Sequence, residues 1–199
     1  MTLRVAEPTR ESIEAVQHNL SELAGRSAFR GRALGRINPL DVALAAPHDV
    51  YSLGLDQLAE GASIDSAHPV GRRFMVMDGE RPVASAEVAG REDGSGFQAN
   101  EGPFVAATAR AIEQAEQDPE LADGRFELRV LRIPALYLMA LWLKDENGDD
   151  DVVIPLDPAP APLESGRRYR PEEVLAELAP VAHERLSFDD ARDSGPSAP

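Results

Sequence analysis

The densest set of hard oxygen ligands in this chain is Asp145, Asn147, Asp149 and Asp151, with Asp150 adding another carboxylate. Oxygen donors on alternate residues suit calcium. An EF-hand loop also needs a glycine at its sixth position and a glutamate at its twelfth, and neither stands there. Alternate residues share a direction only while the chain stays extended, and Asn147-Gly148 is a turn signal that reverses it. The expected structure is a solvated acidic hairpin turn. Calcium is the one cofactor it could take, and no other is expected.

Arg26, Arg30, Arg32 and Arg36 form the one basic stretch, with no acid among them. Bidentate guanidinium chemistry suits an anion or an acidic partner. Ion pairing with acids of the same fold is the commoner use of such arginines. Other chemistries find little support. No cysteine is present, which removes thiolate nucleophiles, disulfides and cysteine metal sites. No Gly-x-Ser-x-Gly elbow occurs. Ser66 lies near His68, but sequence neighbours do not make a dyad. His18, His48, His68 and His183 are scattered, without the spacing of a helical zinc site. Gly94-Ser95-Gly96 lacks the rest of a phosphate loop. Glu127 and Arg129 sit on the wet side of an alternating segment, where cross-strand ion pairing is the simplest use.

The elements that would position these residues follow from periodicity. Ile13, Val16, Leu20 and Leu23 make one apolar stripe after Thr9, which predicts a helix over 10–24. Pro103 opens a second helix, over 103–118, with Phe104, Val105, Thr108, Ala111, Ile112 and Ala115 on one face. Pro171-Glu172-Glu173 opens a third, over 171–185, which Pro180 should kink or split. Residues 72–88 read as a hairpin turning at Asp78-Gly79. Phe126, Leu128 and Val130 alternate with polar neighbours in a strand over 126–133, and Pro134 predicts a bend. Residues 136–156 form a second hairpin, whose first strand is apolar on both faces.

Between these elements, 38–68 reads as a long connection with a short edge strand near Val50 and a helical turn near Leu55. Residues 90–102 read as a polar glycine-rich loop. Pro158, Pro160 and Pro162 predict an extended, polyproline-like strap. The fold class is α+β with a mainly antiparallel sheet, as one domain over 1–186 and a disordered tail over 187–199.

The chain has 199 residues and a formal net charge of −15, from 35 acids against 20 bases. That balance opposes nucleic-acid and anionic-membrane binding and favours a basic partner. All the bases but Lys144 are arginine, which reads as the codon usage of a high-GC bacterium. No segment is long and apolar enough to cross a membrane as a helix. The first residues lack the apolar stretch of a signal peptide, so the cytoplasm is the expected compartment.

These readings lean away from an enzyme. They favour a protein that acts through protein contacts, as a self-associating subunit, adaptor or small inhibitor. The expected contact surface is the two-sided apolar strand, through Leu136, Leu138, Leu141, Trp142 and Leu143. The alternative is a small-molecule-binding protein or enzyme with a pocket between the sheet and the loops 38–68 and 90–102.

Overall fold

A computed structural model describes residues 1–5, 7–24, 34–36, 38, 41–89, 96–148 and 150–193. One eight-stranded, mostly antiparallel sheet carries helices on both faces, an α+β fold. Its strands are β1 (Thr2–Arg4), β2 (Ala43–Ser52), β3 (His68–Asp78), β4 (Arg81–Ala89), β5 (Phe97–Asn100), β6 (Arg125–Ile133), β7 (Leu138–Asp145) and β8 (Val152–Pro155). The helices are α1 (Arg10–Ala24), α2 (Leu55–Ala59), α3 (Pro103–Gln117) and α4 (Pro171–Asp193). The strand order is β5-β4-β3-β2-β6-β7-β8, with β1 pairing parallel to β6.

Directly paired residues point to the same face, so the register assigns the helices. Phe126, Leu128, Leu141 and Leu143 meet the small residues Ala107, Ala111 and Ala115 of α3 on one face. Leu131, Ile133, Ala140 and Trp142 meet Val174, Leu178 and Ala182 of α4, with Leu58 of α2, on the other. Phe74, Val76, Ala84 and Ala86 take Val16 and Leu20 of α1 on that second face. The alanines of α3 let helix and sheet approach closely. Thr108 donates its hydroxyl to the Phe104 carbonyl at 2.7 Å, so the one polar member of that stripe packs satisfied. Thr9 caps α1 by accepting from the Ser12 amide at 3.2 Å.

The predicted hairpins, the strand over 126–133 and the bend at Pro134 all form. The bend is a short 3-10 turn, Pro134–Leu136, closed by Tyr137 at φ 56. Five readings need correction. The segment near Val50 is no edge strand: β2 spans ten residues at the centre, antiparallel to β3 and parallel to β6. Pro47 hid it from the sequence. It falls in a bulge between Ala45 and His48, where its missing amide interrupts no ladder bond. The predicted loop over 90–102 contains strand β5, paired along β4 from Phe97 to Asn100. Pro180 does not split α4, which runs unbroken through it and on to Asp193, into the residues read as a tail. The strap after Leu156 is no straight polyproline helix: it bends at 157–158 and turns at 161–162, where the Leu163 amide donates to the Pro160 carbonyl at 3.0 Å.

The fifth correction concerns the expected contact strand. Leu136, Leu138, Leu141, Trp142 and Leu143 are all buried within this chain, Leu141 and Leu143 at 0 % exposure. Both faces of β7 are covered by the protein's own helices, so these five side chains offer no surface to a partner. No described helix is long and apolar enough to cross a membrane.

Leu141→Ala is expected to cost about 2–5 kcal/mol, read as a lower urea midpoint at unchanged m-value. A loss below about 1 kcal/mol would show that the site is not packed from both sides.

Candidate functional site

Two polar places stand out, one buried and one open. The buried one lies on the α3 face. Pairing places His48 opposite Arg73, Arg73 opposite Glu87, and Arg132 opposite Met139, so these side chains share that face. The Glu87 carboxylate oxygen Oε2 accepts from Arg73 Nη2 at 3.1 Å and from Arg73 Nε at 3.3 Å. The same oxygen accepts from Arg132 Nη2. Arg73 Nη1 also points at the Met139 sulfur, 2.9 Å away. Arg73 is 2 % exposed and Glu87 6 %.

The bulge in β2 sets the fourth member. Ala46 takes φ 44, and its carbonyl lies 2.7 Å from His48 Nδ1. A carbonyl only accepts, so Nδ1 carries the hydrogen and Nε2 is a bare acceptor. That Nε2 is buried without a partner, as is Arg132 Nε. Burial, then Arg73, then Arg132 push the His48 imidazole down from 6.5 to about 3. Burial and then Arg132 lower Arg73 to about 10, against the opposing pull of Glu87. The centre thus holds a neutral histidine beside two guanidiniums that share one carboxylate. Unpaired buried polar groups and perturbed titrating groups are marks of a functional site.

The open place surrounds the acidic turn. A cleft of about 1080 Å³ lies among that turn, the 3-10 segment Ile64–Ser66, the connection after α3 and the start of α4. Asp151 organises it. Its Oδ2 accepts from Trp142 Nε1 at 2.8 Å, and its Oδ1 accepts from the Asp145 amide at 2.9 Å. Lys144 Nζ sits 3.2 Å from Asp151 and 3.8 Å from Asp65. Beside it on the sheet, the Arg129 guanidinium lies over the rings of Tyr51 and Trp142, 4.7 and 5.0 Å from their centroids. Arg129 Nη2 donates to Glu127 at 2.8 Å, so the two pair with each other along one strand, where cross-strand partners were expected; the cross-strand contact is the one from Arg4 of β1 to Glu127, at 3.6 Å.

The residues singled out from sequence therefore divide. Asp145 and Asp151 are buried and form the clasp of the hairpin, and the Asn147 amide donates to Asp145 at 3.1 Å. Among the described residues no three histidine, aspartate or glutamate side chains converge to hold a metal ion. Asp149, Arg26, Arg30 and Arg32 lie outside the described residues, and Arg36 is exposed at the end of the 3-10 turn Leu34–Arg36. His18, His68 and His183 are exposed, while His48 is fully buried. The sequence reading missed the His48–Arg73–Glu87–Arg132 centre. Its signal was there: single charged residues inside otherwise apolar strands, Glu87 in Val83–Ala89 and Arg132 between Leu131 and Ile133.

Two outcomes follow. Glu87→Gln leaves the buried Arg73 and the partly exposed Arg132 without a counter-charge and should cost about 3–5 kcal/mol in denaturant unfolding. His48 binds its proton more weakly folded than unfolded. Its contribution to stability is therefore complete above about pH 6.5 and is lost as pH falls towards 3. The slope approaches about 1.4 kcal/mol per pH unit, and His48→Gln should flatten it between about pH 6.5 and 5. An unchanged slope in that variant would remove His48 from the account.

Compared with known proteins, the chain matches no family model, no curated protein and no solved structure.

Proposed function

We propose that this protein acts without catalysis, through contact with a protein partner, and that the partner presents a basic segment to the cleft around the acidic turn. One observation carries the reading. The cleft is lined by seven carboxylate side chains and four cationic ones, and three of those cations are already engaged by carboxylates of the protein. Arg167 pairs with Glu164, Arg168 with Asp118 and Glu120, and Lys144 with Asp151 and Asp65; Glu164 and Asp118 lie outside the lining, so the cleft keeps an acidic balance. Asp65, Asp150, Glu172 and Glu173 are exposed along its rim. The net charge of −15 adds long-range attraction for a basic partner.

The shape supports the same reading. Small-molecule sites are usually enclosed and apolar with a few placed polar groups, whereas this cleft is open and mostly charged. Self-association through a dry apolar face has less support. Among the described residues the exposed large apolar side chains are Val5, Tyr137 and Phe188, one just after β1, one just before β7 and one in α4. A contact built on rim charges is salt-sensitive and transient.

Native mass spectrometry of the protein purified from its own host at low salt tests the idea. The expected result is a hetero-complex that dissociates as salt is raised. Asp150→Lys with Glu172→Lys should abolish it while the circular dichroism spectrum is unchanged. A partner-free monomer carrying a defined small-molecule mass would overturn the proposal, as would a complex indifferent to the charge reversal.

A further inference from the structure

We propose that the buried centre on the α3 face, formed by Arg132, Arg73, Glu87 and His48, is a binding site for a small oxyanion that carries a proton, the class to which hydrogen phosphate belongs. The site is separate from the cleft and does not depend on the partner contact proposed there.

The first argument is charge. Two guanidiniums converge on one oxygen of one carboxylate. Among the described residues no second acid forms an ion pair with either arginine. The surface offers a contrast. There Arg72 meets Asp49 one to one, through bonds of 2.8 and 3.3 Å. A surplus positive charge in a place where Arg73 is 2 % exposed is unfavourable until an anion joins it.

The second argument is the sense of the two unpartnered atoms. Arg132 Nε is a buried donor without an acceptor, and His48 Nε2 is a buried acceptor without a donor. Strand pairing sets His48 directly opposite Arg73, and Arg73 and Arg132 share the Glu87 oxygen on the same face. A bare anion such as chloride or sulfate answers Arg132 and leaves the histidine lone pair unmet. Water answers both atoms and leaves the charge. A hydrogen-bearing oxyanion does all three: its anionic oxygens accept from Arg132, its hydroxyl donates to His48 Nε2, and its charge offsets the surplus. The approach is from the Arg132 side. The Arg132 side chain is 21 % exposed, against 3 % for Arg73 and 9 % for Glu87.

The test is isothermal titration calorimetry of the full chain slightly above neutral pH, at constant ionic strength. Sodium phosphate, sodium sulfate and sodium chloride are the probes. Phosphate should bind to a single site and raise Tm. Sulfate, lacking the proton, should bind about tenfold more weakly or worse, because a buried acceptor left unmet costs about 1–3 kcal/mol. Chloride should give no saturable heat. Arg132→Gln should lose phosphate binding. His48→Phe, if circular dichroism shows it folded, should bring the phosphate-to-sulfate ratio close to one. Absence of a saturable phosphate signal in the wild-type protein overturns the proposal. So does equal affinity of the wild-type protein for sulfate, or a folded Arg132→Gln variant that binds phosphate as the wild type does. The wild-type anion series needs no variant, so a variant that fails to fold leaves the test intact.

Discussion

The shared carboxylate of Glu87 is the interaction on which the two halves of the sheet depend. Strands β3, β4 and β5 form one half and β6, β7 and β8 the other. They meet at β2, which pairs with β6 over Asp49–Ser52 alone. That junction is short. Glu87 reaches across it, holding Arg73 on its own side and Arg132 on the far one. A charge placed there is costly to bury, so the strands must keep the register that satisfies it. The same constraint explains His48. Any protonation would put a further positive charge beside two guanidiniums, and burial and those charges together keep the ring neutral.

Around that clamp the apolar core is divided by faces. The second half of the sheet is covered twice, by α3 and by α4 with α2, which is why β7 is apolar on both sides. The first half receives α1 on the face it shares with α4. The hairpin between β7 and β8 is closed by a polar clasp. Asp151 receives both the Trp142 indole and the Asp145 amide, and the Asp145 carboxylate receives the Asn147 amide, so a turn rich in carboxylates uses two of them for structure. The outer edge of β8 is occupied by Tyr169, whose amide and carbonyl exchange bonds of 2.9 Å with Val153. This covers part of an edge that would otherwise be free to pair with another strand.

The buried centre and the open cleft use charge in opposite ways. In the cleft, charges are solvated and mostly paired, and their field acts over distance. In the centre, few charges act at close range in a poorly screened place, where one unmatched group matters. The bulge at Ala46–Pro47 links sequence to this second site directly, because it sets the backbone carbonyl that fixes which nitrogen of His48 is left bare.

The sequence by itself determined the parts whose pattern is local. The stripe of Ile13, Val16 and Leu20, the alternation of Phe126, Leu128 and Val130, and the Asp78-Gly79 and Asn147-Gly148 turns specify helices and hairpins through contacts within a few residues. Parts of the chain that rely on distant partners were hidden. β2 has Pro47 in its middle and is a strand because β3 pairs with it on either side of its bulge and β6 pairs with it beyond the bulge. The apolar stretch over Leu136–Leu143 looked like a surface for another molecule, because periodicity gives the number of apolar faces and not what covers them. Only the tertiary structure decided that α3 and α4 of the same chain do so. It alone brought His48, Arg73, Glu87 and Arg132 together, since they stand on four different strands and their meeting depends on strand order, which no local pattern encodes.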